Sequence, residues 1–335
     1  MEPPKLSVDI GESYNDPIAF VECATVAEKY GFDTAWFGDH LLPWTHNRRR
    51  SSFVWSIMPV ALDRTKKLRI GVFVTVPVGG RYHPLVIAQA AATLDNMYPG
   101  RFSLGVGSGE AMSDAMFFPK GWPDWIERIE RLAEAIVLIR KAWESDDYFS
   151  FQGKYFKVDN FFLYTKPKTE IPICFSALGR KSAAYAGTYA DHLVTINPAE
   201  TCRDVIFPSF ESSARKAGKD PMKMEKMVAV NLQFFKNKND GVEELRRNGE
   251  AGLLLKESRD EKDPRVIQKL SQSVSSERIL AGKNFISSPE EVIELTERYS
   301  KIGATHVIYD IQSFRDRIEF LGEKVVPFFL QKPER

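Results

Sequence analysis

The residues best suited to chemistry in this chain are Asp39 and His40, which follow the apolar run 34–37 after one glycine. Histidine can accept and return a proton near neutral pH, because its ordinary pKa is about 6.5. Trp44 lies a few residues further on and could wall a pocket while donating its indole N–H. An acid and an imidazole after a strand also occur as structural loop residues. The pair therefore predicts an active site only if other polar groups reach the same place.

A second group combines three glycines with an acid. Gly105, Gly107 and Gly109 stand at every second position and are followed by Glu110. Glycine lets the backbone approach a ligand closely because no Cβ intrudes. The spacing differs from the G-x-G-x-x-G fingerprint, so it does not predict a dinucleotide site. Glu110 could act as an acid or hold a substrate hydroxyl.

A third group lies in the segment 176–181, where Gly179, Arg180 and Lys181 precede a predicted helix. The N–H groups and positive end of a helix attract anions, and two cations would add to that attraction. This composition indicates a phosphate site, although an ordinary helix start with solvated cations has the same residues.

Short apolar runs alternate with amphipathic ones along the whole chain. The predicted strands are 6–10, 34–38, 68–76, 102–106, 171–175, 192–196, 226–235 and 305–309. The predicted helices are 17–30, 53–64, 84–98, 125–143, 182–189, 203–217, 289–302 and 318–330. Eight βα units favour a closed α/β (β/α)8 TIM barrel, which places the three groups at the carboxyl ends of its strands.

This barrel is expected to form a single domain, 1–335, with two insertions. One, near 144–170 after the fourth strand, has the alternating aromatics of a β-hairpin. The other, near 236–288 after the seventh strand, is polar and carries helical segments.

Composition excludes several classes of partner. The formal net charge of the 335 residues is +1, so neither nucleic acid nor a membrane surface is expected as the main partner. The three cysteines are widely spaced, and their pattern predicts neither a metal site nor a disulfide framework. No signal peptide is recognisable, and we expect a cytoplasmic protein.

Segments in order along almost the whole chain resemble the bacterial-luciferase-like superfamily and, within it, the oxidoreductases that use the deazaflavin coenzyme F420. The resemblance rests on segments 27–33, 39–40 with 43–44, 81–84, 88–89 with 92–94, 98–101, 105–111, and 186–187 with 191. The F420-dependent secondary alcohol and glucose-6-phosphate dehydrogenases are the most similar groups. Segments 162–167 and 217–221 look more like the alcohol enzymes.

The resemblance implies hydride transfer between an alcohol and C5 of the deazaflavin. His40 would be the base that removes the hydroxyl proton, Trp44 would help bind that oxygen, and Glu110 would act near the cofactor ring or the substrate. Phe73–Val74 occupies the position of the family's non-prolyl cis peptide, and the loop 177–181 would hold the cofactor's phosphate. The implied cofactor-binding residues are Asp39, Phe73, Val74, Ser108, Gly109, Ser113, Ala177, Leu178, Gly179, Arg180 and Lys181.

The resemblance leaves the substrate open between a secondary alcohol and the hemiacetal hydroxyl of a sugar. Pro198 stands at or near one phosphate-binding position of the sugar-phosphate enzymes, where a lysine is expected, while Lys269 and Lys283 could still serve. Asn231 replaces an aromatic residue that walls the pocket of the alcohol enzymes, which favours a more polar substrate.

Three alternatives stay open at this point. One is an F420-dependent methylenetetrahydromethanopterin reductase, whose chemistry needs no base for a hydroxyl. Another is a flavin-dependent luciferase-like monooxygenase, and the last is a non-catalytic member that only binds a cofactor or partner. Relatives pair through barrel helices, so a homodimer is expected.

Overall fold

The chain forms a closed barrel of parallel strands surrounded by helices. Residues 2–11, 16–235, 237–311 and 315–330 are described by the structure, a computed structural model. The strands are β1 (Lys5–Ile10), β2 (Thr34–Phe37), β3 (Arg69–Thr75), β4 (Phe102–Val106), β5 (Phe149–Gln152), β6 (Lys157–Phe161), β7 (Ile173–Ser176), β8 (His192–Thr195), β9 (Lys226–Phe234), β10 (Asn284–Ile286) and β11 (His306–Asp310). The helices are α1 (Pro17–Lys29), α2 (Val54–Arg64), α3 (Pro84–Met97), α4 (Ala111–Asp114), α5 (Trp125–Glu144), α6 (Arg180–Tyr189), α7 (Ala199–Thr201), α8 (Phe207–Lys216), α9 (Lys238–Arg247), α10 (Pro264–Leu270), α11 (Ser276–Gly282), α12 (Pro289–Lys301), α13 (Arg315–Lys324) and α14 (Val326–Leu330).

The barrel is closed by eight strands in the order β1, β2, β3, β4, β7, β8, β9 and β11, each parallel to its neighbours. Strand β8 pairs with β9, and β11 pairs with both β9 and β1, so no barrel strand is left at an open edge. The predicted (β/α)8 barrel is therefore confirmed, and its strands share one carboxyl end.

Local sequence signals explain where the helices begin. The side chain of Asp16 accepts hydrogen bonds from the N–H groups of Ile18 and Ala19, and Pro17 is the first residue of α1. Ser288 caps α12 in the same way, again just before a proline. The barrel strands themselves are buried, because helices cover their outer face and other side chains fill the interior.

Two regions differ from the predicted elements. Strand β10, within the second insertion, pairs in parallel with the end of β9; its three residues are too few for periodicity to reveal it. The helix expected over 203–217 begins earlier, as α7 followed by a π-helical turn at 202–206 and then α8. The predicted hairpin is confirmed as the antiparallel pair β5 and β6. Lys236, at the start of the second insertion, lies outside the described residues.

The barrel interior changes character from one end to the other. A small apolar cluster around Trp36 and Ile308 fills the middle. At the amino end, Ser7 Oγ lies 2.5 Å from His306 Nε2, and Glu225 Oε2 lies 3.3 Å from His306 Nδ1. The polar groups expected to do chemistry lie at the opposite, carboxyl end. Within the described parts of the chain, no helix combines the length and apolar character that crossing a membrane requires.

Candidate active site

Three side chains come together at the carboxyl end of the barrel. His40, after β2, places Nδ1 3.5 Å from Oε2 of Glu110, after β4. The ring centroids of His40 and Trp44 lie 4.9 Å apart, tilted by 55°. The His40 side chain is 15% exposed and that of Glu110 is 41% exposed, but Oε2 of Glu110, the oxygen that faces His40, is buried. The structure thus brings together an imidazole, an indole and a carboxylate, which can hold and move one proton.

Asp39, the neighbour of His40, is occupied by protein contacts. Its carboxylate accepts hydrogen bonds from the Tyr82 hydroxyl at 3.0 Å and from Trp55 Nε1 at 3.3 Å. Arg81 Nη2 lies 3.1 Å from Asp39 Oδ1. Burial, followed by the charge of Asp39, raises the pKa of Tyr82, so this phenol stays a donor. Asp39 therefore fixes the start of the loop that carries His40.

The short helix α4 links the same loop to Glu110. Asp114 Oδ2 accepts the backbone N–H of Glu110 at 3.0 Å, and Ser113 Oγ accepts the N–H of Leu41 at 3.3 Å. Burial raises the pKa of Asp114. The loop after β2 and the loop after β4 are consequently held to each other by side chains of α4.

The glycines in and just after β4 pack against β3 and the residue that follows it. A Cβ on Gly105 would lie 2.0 Å from the backbone oxygen of Val72, and one on Gly107 would lie 2.5 Å from Val74 Cγ2. Gly109 has φ +87°, and a Cβ there would lie 2.8 Å from Val76 Cγ1. Their small size lets this segment approach β3 closely, and the approach of a ligand to their backbone stays a prediction.

The segment of β3 facing these glycines contains a cis peptide bond between Phe73 and Val74, as the sequence comparison implied. Register between β3 and β4 shifts between Val72 and Thr75. Thr75 Oγ1 is buried and has no hydrogen-bond partner within the described residues. This segment of β3, which packs against Gly105 and Gly107, is therefore irregular.

The loop after β7, where an anion site is predicted, leads directly into α6. Ser182 Oγ accepts the N–H groups of Leu178 and Gly179, at 3.2 and 3.1 Å. Ala177 is buried, Leu178 is exposed, and a Cβ on Gly179 would meet nothing within 4 Å. Arg180 and Lys181 are exposed at the start of α6, and their side chains make no ion pair within the part of the chain that the structure describes.

Asn231 lies in a polar network on the opposite wall. Its Nδ2 donates to Asp310 Oδ2 at 2.5 Å, and its Oδ1 accepts from Gln233 Nε2 at 2.6 Å. Asn231 is paired in register with Asp310, and Asp310 with Asp9. Two carboxylates and two amides therefore line this wall.

Lys269 and Lys283 belong to the second insertion. Lys269 is exposed on α10, and Lys283 is half-buried between α11 and β10, next to Asn284, whose Nδ2 donates to the Asn231 carbonyl at 3.0 Å. Lys283 is therefore adjacent in sequence to a residue, Asn284, that is hydrogen-bonded to Asn231. Within the described residues, neither lysine side chain makes a hydrogen bond or ion pair with His40, Trp44 or Glu110.

Several residues that build the site were missed from the sequence. Arg81 and Asp114 link the loops after β2 and β4, and Asp310 holds Asn231. Arg81 belongs to the segment 81–84, which supported the resemblance without receiving a role. Asp310, directly after the predicted strand 305–309, and Asp114, shortly after the fourth strand, carry charge near strand ends and could have been singled out on that ground, whereas no such signal marks Arg81. Within the described residues, no group of three or more His, Cys, Asp or Glu side chains could hold a metal ion.

The second insertion also fixes the loop after β2. Thr45 Oγ1 donates to the Asn248 carbonyl at 2.9 Å, and the N–H of Asn47 donates to Gln268 Oε1 at 2.9 Å. Arg48 Nη2 lies 3.7 Å from Oε2 of the buried Glu250. The loop with His40 and Trp44 is therefore held from both sides.

Comparison with known proteins gives consistent relatives. The F420-dependent glucose-6-phosphate dehydrogenase of Gordonia bronchialis is 31% identical over 308 residues, covering 91% of this chain and 90% of the relative. That of Microbacterium testaceum is 31% identical over 318 residues, covering 93% of each.

Solved structures agree in fold. An F420-dependent secondary alcohol dehydrogenase in complex with an F420–acetone adduct superimposes with a TM-score of 0.87 at 36% identity, covering 96% of this chain and 98% of that one. The F420-dependent tetrahydromethanopterin reductase of Methanopyrus kandleri has a TM-score of 0.75 at 21% identity, covering 98% and 99%. This second likeness concerns the fold alone. The family model for luciferase-like monooxygenases matches residues 3–306, and the chain therefore belongs to that family.

Proposed function

We propose that this protein is a coenzyme F420-dependent dehydrogenase that transfers a hydride between an alcohol and the deazaflavin. The contact of His40 Nδ1 with Glu110 Oε2 at 3.5 Å, beside Trp44 at the carboxyl end of the barrel, carries the proposal. Relatives over nearly the full length that are named as F420-dependent dehydrogenases support it.

The residues around this contact suit a deazaflavin with a phosphate-bearing tail. The segment of Phe73 and Val74 would back the ring, and Ser108, Gly109 and Ser113 would hold its side chain. The exposed cations Arg180 and Lys181, together with the start of α6, would hold the phosphate. When bound, this cofactor supplies a two-electron hydride acceptor.

Side chains of the protein accept the proton that the alcohol loses. His40 accepts the hydroxyl proton of the alcohol, because a neutral imidazole nitrogen is a base that works near pH 7. The Trp44 N–H holds the alcohol oxygen in place. Glu110 stabilises the imidazolium that forms, since its carboxylate lies on the other ring nitrogen.

The substrate is a secondary alcohol or the hemiacetal hydroxyl of a sugar, and the polar network at Asn231 favours the more hydroxylated of these. Lys269 and Lys283 would contribute if the substrate carries a phosphate. We also expect a cytoplasmic homodimer with a small-molecule substrate and no nucleic-acid or membrane partner. Light scattering of the purified protein measures the assembly.

Two measurements test the proposed function. Fluorescence titration of the apoprotein with F420 and with flavin mononucleotide should show tight binding of F420 only; preference for the flavin would contradict the cofactor. Secondary alcohols and sugar phosphates are then screened for loss of oxidised F420 absorbance. Failure of both classes, with turnover of a methylene pterin instead, would overturn the dehydrogenase in favour of a pterin reductase.

A further inference from the structure

Arg81 lies between the two loops that carry the acid–base pair. Its Nη2 donates to the backbone carbonyl of Asp39 at 2.6 Å, directly before His40, and lies 3.1 Å from Asp39 Oδ1. The guanidinium also stacks over the Tyr82 ring, with 4.6 Å from Cζ to the centroid. Its side chain is only 9% exposed. The backbone beside His40 is thus fixed by a buried, planar donor.

The same guanidinium faces the loop that carries Glu110. Arg81 Nε lies 4.0 Å from Asp114 Oδ1, while the other oxygen of Asp114 accepts the N–H of Glu110 at 3.0 Å. The Asp39 and Asp114 side chains are 1% and 3% exposed. The Arg81 cation therefore lies near two buried carboxylates. Asp39 directly precedes His40 in the chain, and Asp114 accepts the backbone N–H of Glu110.

We propose that Arg81 is a positioning residue that holds His40 and Glu110 against each other and compensates the buried negative charge beside them. The proposal rests on the proposed function, because it gives His40 and Glu110 the acid–base work. Arg81 acts through Asp39 and Asp114 and has no role in touching the substrate.

Charge makes this role measurable. The titratable groups that face Arg81 are Asp39, Asp114 and Tyr82, with His40 and Glu110 next to them. Without the guanidinium, two buried carboxylates would face the imidazole uncompensated and would favour its protonated form. A protonated His40 cannot accept the hydroxyl proton, so activity would require a higher pH.

The first experiment titrates His40 by NMR in the apoprotein with labelled histidine, using His40→Asn to identify its signal. Arg81→Met should raise the pKa of His40 by about one unit, which is about tenfold in proton affinity. The double variant Arg81→Met/Asp114→Asn removes one carboxylate as well and should return that pKa toward the wild-type value. An unchanged His40 titration in Arg81→Met would overturn the compensation of charge.

The second experiment uses turnover. Arg81→Lys keeps the charge but loses the two-pronged donor, so kcat should fall about tenfold while the pH profile and KM stay close to wild type. Arg81→Lys also tests the positioning role if Arg81→Met does not fold. Unchanged kcat in Arg81→Lys would overturn the positioning role. If none of the alcohols tested supports reduction of F420 by the wild-type protein, the proposed function fails. The NMR titration still decides whether Arg81 affects the pKa of His40.

Discussion

At the scale of single residues, the proposed base and the proposed phosphate-binding cations lie on different loops. His40 packs against Trp44 and faces Glu110, whereas Arg180 and Lys181 are exposed at the start of α6, after β7. Asp39 is expected to contact the cofactor. Its carboxylate accepts hydrogen bonds from Tyr82 and Trp55 and forms an ion pair with Arg81. A cofactor contact from Asp39 stays a prediction, and its observed contacts hold the loop.

Replacing His40 should abolish proton transfer but spare the fold. We expect His40→Asn to lower kcat for alcohol oxidation by about 10²- to 10⁴-fold, the usual contribution of a general base. Binding of F420, followed by fluorescence, should change little. His46→Asn, in an exposed turn of the same loop, is the matched control and should retain activity. Wild-type turnover by His40→Asn would exclude His40 as the base.

Removing the exposed cations should weaken the cofactor and leave the chemical step intact. Arg180→Ala/Lys181→Ala should raise the dissociation constant of F420 about tenfold, because two charge-assisted contacts to a phosphate are lost. At saturating F420, kcat should stay near wild type. Lys157→Ala, on the hairpin strand β6, removes an equivalent exposed charge as a control. Equal affinity in the double variant and this control would refute the phosphate site.

At the scale of elements, the contact between β3 and β4 shapes one wall of the site. Val72 and Val74 lie so close to positions 105 and 107 that only glycine fits there. Alternating glycines in the sequence indicated a close approach, and the structure identifies the approaching group as a strand. The second insertion, in turn, holds the loop of Trp44 through Thr45, Asn47 and Arg48.

A methyl group at Gly105 should therefore destabilise the barrel. Gly105→Ala places Cβ 2.0 Å from a backbone oxygen, which cannot move aside as a side chain would. We expect the free energy of unfolding of the apoprotein to fall by about 2–3 kcal/mol, measured by denaturant titration. In Gly179→Ala the new Cβ meets nothing within 4 Å, so the free energy of unfolding should stay within about 0.5 kcal/mol of the wild-type value. Equal stability of the two variants would contradict this account of β4.

At the scale of the whole molecule, the two ends of the barrel differ in their polar groups. The carboxyl end carries the exposed and half-buried polar groups of the site. The amino end is closed by Glu225, which Lys5 Nζ contacts at 2.5 Å and His306 at 3.3 Å. Burial opposes ionisation of Glu225, but the hydrogen bond and charge of His306 outweigh it and hold the pKa well below its ordinary value of 4.5.

This arrangement predicts how stability depends on pH. A carboxyl with a lowered pKa in the folded state stabilises the protein above its ordinary pKa, and that contribution is lost progressively as the pH falls below about 4.5 toward the folded-state value. Glu225→Gln should therefore lower the free energy of unfolding by about 3 kcal/mol at pH 7 and by progressively less below pH 4.5. Denaturant titrations between pH 3 and 7 measure the difference. A difference that stays constant over this range would rule out ionised Glu225 as its cause.

The sequence alone determined the βα alternation, the barrel and the strand ends that carry His40, Glu110 and Lys181, because each follows from local periodicity and turn residues. Three things were decided only by tertiary structure. The carboxylates that Arg81 joins are 42 and 33 residues from it along the chain, and Asn231 finds Asp310 across 79 residues. The glycines of β4 fit a neighbouring strand. Contacts of this kind depend on which strands lie side by side and on how much water is excluded, and no local pattern records either.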